Sequence, residues 1–195
     1  QAVGIVPGIQ GLSGYLEANE KGGYVTLQGK NAAIDLPAVF SESLIPLHSL
    51  DADVYWQLDE KGLHTQFKRV RFANADAIGK VDGRYDYLGT GSGTIDLQGH
   101  VQGADAKAVW RYLPLVIGEQ ARTWVRHALQ GGRAKEADVV LRGNLDDFPF
   151  SKPDSGKFEV KVKAEDVTLE YLPGWPKLEQ IHGDLRFSGA GMFID

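Results

Sequence analysis

The chain has no cysteine, only one methionine, no long apolar run and no surplus of basic charge. Each absence removes a class of answer. Without cysteine there is no disulfide framework, no thiolate metal site and no thiol nucleophile. That absence is compatible with an oxidising compartment but does not select one. No apolar run approaches the roughly 18 residues that a membrane-spanning helix needs, and no signal-peptide pattern is present. Lysine and arginine number 21 against 26 acidic residues, for a net charge of −5. Nucleic-acid binding asks for the opposite balance. The single methionine is Met192, and the chain stops within the strand-like run Met192-Phe-Ile-Asp195. These features lead us to expect a single fragment of a longer protein, with any anchor outside it.

Catalytic patterns are also missing. The histidines at 48, 64, 100, 127 and 182 show no metal-ligand spacing. Ser41, Ser43, Ser49 and Ser151 lack a nucleophile-elbow context. Gly89-Thr-Gly-Ser-Gly93 resembles a phosphate loop, but a strand pattern follows it where a phosphate loop needs a helix. It reads as a turn. Asp51 with Asp53, at the mouth of a strand, and Asp146 with Asp147 are carboxylate pairs. A calcium loop would need more oxygen ligands close by, and nothing fixes a glycosidase separation. They read as solvated. Carbohydrate binding, suggested by the aromatics and these pairs, is the weakest of the functional readings. We expect no enzyme, no metal and no cofactor.

What is present is glycine and alternation. Glycine makes up 24 of the 195 residues, about 12% against a usual ~7%. The glycines separate short runs of alternating polarity, the pattern of many strands joined by tight turns. After an opening Gly4-Ile-Val-Pro-Gly8, Leu12, Gly14, Leu16 and Ala18 share one face. Val25 and Leu27 continue on the next strand, Ile34 and Leu36 on another, and residues 40–47 read as irregular. Val54, Trp56 and Leu58 oppose Asp53, Gln57 and Asp59. Phe67, Ile95 and Leu97 continue the apolar series, and Phe158, Val160 and Val162 repeat it between lysines and Glu159. One apolar and one polar face is the signature of an antiparallel sheet covered on one side only. A weak repeat, Gly-x-apolar-x-apolar around a turn, occurs at 14–27, at 83–97 and from Gly183 into Met192-Phe-Ile, and argues for a meander of hairpins.

Residues 104–134 break the alternation and divide a first β-run, 1–103, from a second, 135–195. Asp105 suits the N-cap of a short helix that Pro114 ends. A second helix is expected from about Gly118 to Leu129, with Ala121, Trp124, Val125 and Ala128 on one face and Gly131-Gly132 as its stop. Trp175, in a Pro-bounded turn, is expected to pack down as a plug.

Several short motifs occur in a telling order: Tyr112-Leu-Pro114, Trp124 with Ala128-Leu129, Gly131-Gly132, and Leu141-Arg-Gly143 leading to Phe148-Pro-Phe150. Gly156-Lys-Phe-Glu-Val160, Val167-Thr-Leu-Glu-Tyr171, Gly174-Trp-Pro176 and Gly183-Asp-Leu-Arg-Phe187 follow. Leu36-Pro-Ala-Val-Phe40 and Val54-Tyr-Trp56 extend the match more loosely towards the N-terminus. In these motifs the chain resembles the AsmA-like superfamily, and within it the large YhdP-type proteins of Gram-negative bacteria. The resemblance implies a periplasmic segment of an inner-membrane-anchored protein, similar to bridge-like lipid transfer proteins. Such proteins curl repeated β-hairpins into a hydrophobic groove or taco-like sandwich and serve phospholipid movement and the outer-membrane barrier. Its partners would be phospholipid acyl chains, neighbouring repeats of the same chain and envelope proteins.

The fold expectation is therefore mainly β: curved antiparallel sheet with a two-helix segment at about 105–130. The candidate groove residues are Val54, Trp56, Leu58, Phe67, Ile95, Leu97, Phe158, Val160 and Val162. Exposing two acyl chains of about 16 carbons costs on the order of 25 kcal/mol at ~0.8 kcal/mol per CH₂. An apolar trough offsets much of that cost without any chemistry. The alternative is a scaffold module in which the same faces close into a core, because a sandwich has the same alternation.

Overall fold

The computed structural model describes residues 8–152, 154–189 and 191–194. The opening Gly4-Ile-Val-Pro7 lies outside them. Among the described residues, eleven strands form one antiparallel sheet: β1 (Gly8–Gln10), β2 (Ser13–Asn19), β3 (Gly22–Asp35), β4 (Leu44–Asp59), β5 (Gly62–Ala73), β6 (Ile78–Tyr87), β7 (Thr94–Asp105), β8 (Leu129–Asn144), β9 (Gly156–Leu169), β10 (Leu178–Ser188) and β11 (Gly191–Ile194). From β3 onwards each strand pairs with the next in sequence. β1 and β2 lie end to end along the outer side of β3, so the sheet is ten positions wide. All three expected repeats are hairpins: β2–β3, β6–β7 and β10–β11.

Local chemistry explains the meander. The β2–β3 and β4–β5 hairpins use the same four-residue pattern, Asn19-Glu-Lys-Gly22 and Asp59-Glu-Lys-Gly62. In both, the first side chain folds over the turn and accepts a backbone amide, from Lys21 at 2.8 Å and from Lys61 at 2.8 Å. Such Asx turns are a local alternative to further strand pairing. The Gly89–Gly93 stretch is indeed a turn, and the Asp146 carboxylate accepts the Ser92 amide there. Hydrogen bonding from the Ser92 side chain, and then from its amide, holds Asp146 below the usual carboxylate range.

Several boundaries differ from the sequence reading. β3 runs unbroken through Val25, Leu27 and Ile34, and β4 begins at Leu44. Asn31 adopts φ 54° in mid-strand. That left-handed residue shifts the alternation, so periodicity reads one strand as two. Asp51 and Asp53 therefore sit inside β4 rather than at its mouth. Gly131-Gly132 does not stop a helix, because β8 starts directly at Leu129 and is bulged there against β9.

The excursion between β7 and β8 holds a 3-10 helix, Ala106–Tyr112, and α1, Glu119–Ala128. Asp105 caps the first by accepting the Lys107 amide at 2.9 Å. On α1, Ala128 is buried and Trp124 and Val125 half-buried, but Ala121 is exposed. Trp175 does not plug anything: it is 60% exposed, with its ring 6.5 Å from that of Tyr171. Beside this turn Tyr171 meets α1, where Trp124 Nε1 donates to the Tyr171 carbonyl at 3.0 Å, and Trp175 is left on the outside.

The sheet is a single open layer. Accessible surface is 12278 Å² for 21.3 kDa, against roughly 9,100 Å² for a compact monomer of that mass. Among the described residues, eight of the twelve buried apolar residues are alanines, and the larger ones are Leu47, Leu50, Phe150 and Val167. A closed sandwich of this length would bury many more large side chains.

Candidate functional site

Residues directly opposite one another on neighbouring strands share a face. The register therefore assembles the apolar face row by row. One row is Val54–Phe67–Gly83–Leu97–Leu141–Phe158 across β4 to β9. The next, towards one end, is Trp56–Thr65–Tyr85–Ile95–Gly143, with Leu58–Leu63–Tyr87 at the rim. On the other side run Val70–Val81–Gly99–Val139–Val160–Phe187 and Phe72–Gly79–Val101–Ala137–Val162–Leu185. All nine candidate residues thus fall on one face, in five adjacent rows. At about 4.8 Å per strand and 3.3 Å per residue, they span roughly 24 Å by 27 Å.

Eight of the nine are half-buried, and Leu58 is 52% exposed. A patch of this size exceeds what single-chain surfaces ordinarily leave open without a binding role. Sequence periodicity missed Val81 and Val101 in these rows, and Leu185, apolar within its own alternating strand, was not among the groove candidates. Periodicity also could not align β5 with β6, because a bulge between Phe67 and Val70 shifts the register. Both residues face the apolar side across that bulge.

Glycines keep this face shallow. The Phe72 ring occupies the space where a side chain on Gly79 would stand, and the Trp56 ring does the same over Gly23. Phe150 covers Gly143 and Gly156 in the same way. The rings lie along the sheet instead of rising to meet a second layer. Gly83, at φ 152°, has no room for a Cβ against the Asp96 carbonyl.

The opposite face is polar and laced across strands. Arg69 bridges Asp53 at 2.9 Å and Asp51 at 3.6 Å. Asp96 joins Arg142, at 2.9 Å, to Arg84, at 3.7 Å. His100 meets Asp138 at 2.7 Å, and Lys163 meets Glu136 at 3.2 Å. His64 lies between Asp86 and Asp59, and its bond to Asp86 chiefly raises its pKa above the ordinary value. Three of these four carboxylates thus have structural partners: Arg69 for Asp51 and Asp53, and the Ser92 amide for Asp146. No group of three or more potential metal ligands occurs among the described residues.

The helical excursion packs at one end of the apolar face. The 3-10 helix lies on β7 and β8, where the sheet presents Ala134, Ala137 and Ala164, all buried. Alanine permits that close approach. A polar cluster pins the helix to the β5–β6 turn: Asn74 Nδ2 donates to the Tyr112 hydroxyl at 2.6 Å, which donates to Asp76 at 2.7 Å. Burial, and then the Asp76 carboxylate, push the Tyr112 phenol up to about 12.

Comparison with known proteins places this architecture. The model of the YhdP protein family matches residues 1–195. The chain belongs to the YhdP family. The intermembrane phospholipid transporter YhdP of Escherichia coli (strain K12) is 27% identical over 194 residues, covering 97% of this chain and 15% of the relative. The chain therefore spans about 15% of the length of that transporter. No solved structure matches it. In this YhdP-family segment no helix among the described residues is long and apolar enough to cross a membrane.

Proposed function

We propose that this segment forms part of a hydrophobic conduit that carries phospholipid across the periplasm between inner and outer membranes, and so supports the outer-membrane permeability barrier. The segment belongs, on this reading, to an inner-membrane-anchored protein whose anchor lies outside these residues. Val54, Trp56, Leu58, Phe67, Ile95, Leu97, Phe158, Val160 and Val162 shield acyl chains from water. No bond is made or broken, so no catalytic group is required. Neighbouring repeats of the same chain extend the trough, and envelope proteins meet its ends. The observation that carries this reading is the open apolar face, whose large side chains remain half-exposed in a single-layered sheet. The E. coli relative is an intermembrane phospholipid transporter, which agrees with this reading.

The test is photocrosslinking in the full-length protein in its native envelope. A photoreactive residue replacing Phe158 or Val160 should capture phospholipid, whereas one replacing Lys161, on the polar face, should not. No adduct at the first two positions, or equal adducts on both faces, sinks the proposal.

A further inference from the structure

The apolar face has two long edges, where the strands end, and they are not alike. One edge, the loop edge, holds the connections β3–β4, β5–β6, β7–β8 and β9–β10. These connections are tied to one another. Phe40 and Pro114 form a β-bridge, and the Leu115 amide donates to the Val39 carbonyl at 2.8 Å. Arg111 reaches Glu42 at 3.1 Å, and the Asp105 amide donates to the Asp76 carbonyl at 2.8 Å. Farther along, the Glu170 amide donates to the Ala128 carbonyl at 2.9 Å. Of the twelve buried apolar residues among the described ones, all but Phe150 lie on the loop side of the Val54–Phe158 row.

The opposite edge carries the hairpin tips. Phe150 covers its β8–β9 end, over Gly143 and Gly156. From β4 to β6 the tip edge stays open: Leu58 is 52% exposed, Tyr87 38% and Leu88 56%. Thr65 and Tyr85 stand one row further in, and the Tyr85 hydroxyl donates to the Ser92 carbonyl at 3.0 Å. A tyrosine has an apolar ring and a polar tip, which suits a boundary between hydrocarbon and water. Directly behind this rim, on the polar face, Asp59, His64 and Asp86 stand together.

A phospholipid has a charged head and apolar tails. Burying the head without partners is heavily penalised, whereas the tails gain by leaving water. In a bilayer each tail spans about half of the ~30 Å hydrocarbon core, roughly 15 Å. Successive rows on the apolar face are about 6.6 Å apart, two residues at ~3.3 Å each. A tail that starts at the Leu58–Tyr87 row therefore ends just past the Val54–Phe158 row, where the buried residues of the loop side begin.

We propose that phospholipids lie across the trough in one orientation, with heads over the open tip edge beside Leu58, Tyr87 and Leu88 and tails running along the strands towards the closed loop edge. This rests on the conduit reading and deepens it, because an apolar face alone sets no direction for what lies on it. Tyr87 stands at the boundary, with its ring against the first methylenes and its hydroxyl towards the head.

The experiment maps adducts on purified wild-type full-length protein with two forms of one phosphatidylethanolamine. One carries a diazirine on the head amine, the other a diazirine at the end of an acyl chain. After irradiation, peptide mass spectrometry locates the adducts. The head probe should label residues 58–64 and 86–89 roughly tenfold or more over residues 36–43 and 106–117, the scale set by taking a charged head out of water. The tail-end probe should label the row of Val70, Val81, Gly99 and Val139 in preference to the tips. Head adducts concentrated at the loop edge reverse the orientation and overturn the proposal. Head adducts equal at both edges, or tail-end adducts concentrated at the tips, also overturn it. In these three cases tail-end adducts confined to the apolar face leave the conduit reading standing. If neither probe labels the apolar face, or if both label Lys161 and its polar-face neighbours equally well, the conduit reading fails and the orientation falls with it.

Discussion

The same apolar face behaves differently in two places. At one corner, Ala32, Leu47, Leu50 and Ala52 form a small closed core, with Leu12, Leu27, Ile34, Ile45, Val70 and Phe72 packed against it. Across the middle, from Val54 to Phe158, residues of the same chemistry stay half-exposed. The difference lies in the backbone. At the corner, Asn31 in the left-handed region and a bulge between Asp51 and Val54 redirect β3 and β4, so side chains converge. In the middle, Gly79, Gly83 and Gly99 add no side chain to the rows, and the rings lie along the sheet. Hydrophobic composition alone does not close a core: convergence does, and the middle rows run side by side without converging.

This contrast can be broken by substitution. Leu50→Ala should give the largest loss, about 2–4 kcal/mol, as expected for a core leucine whose site cannot collapse. Chemical denaturation measures it, and a loss below about 1 kcal/mol would mean that the corner is not a core. Gly83→Ala follows, at about 1–3 kcal/mol from backbone strain and the clash with the Asp96 carbonyl. A thermal midpoint equal to wild type would show that the middle rows tolerate filling.

Tyr112→Phe should cost about 1 kcal/mol by removing the hydroxyl between Asn74 and Asp76. It should also loosen the helical excursion, seen as faster amide exchange in residues 106–112. The phenol pKa is raised from 10.0 to about 12. The stability it contributes is therefore fully present below pH 10 and lost as pH rises through about 12. Ultraviolet titration of the phenolate checks the shift, and an ordinary tyrosine transition at this site would contradict the geometry. The smallest effect is expected from Val160→Thr. On an open face the added hydroxyl reaches water, so the change should stay within about 1 kcal/mol. In a closed core an unpaired hydroxyl costs more, about 1–3 kcal/mol. A large loss here would erase the distinction between corner and middle.

Much of this was legible in the sequence. Alternation marked the strands, and the glycines between alternating runs marked their turns. Asp105 marked the start of the helical excursion. The nine candidate residues follow from a period of two within single strands, and the register sets them on one face. Less was readable where the period slips. Asn31 made β3 look like two strands, and the bulge at Phe67–Val70 hid how β5 meets β6. Gly131-Gly132 resembles a helix stop because glycine suits both a helix end and a bulged strand.

By itself the sequence determined which residues are apolar on which side of each strand and where the chain turns, because these depend on neighbours in the chain. The tertiary structure decided that the strands join into one open layer, that one corner closes, and that the helical excursion packs back on β7 and β8. Those outcomes depend on register, bulges and glycines acting between strands distant in sequence, where alternation is the same for a sandwich and for an open trough.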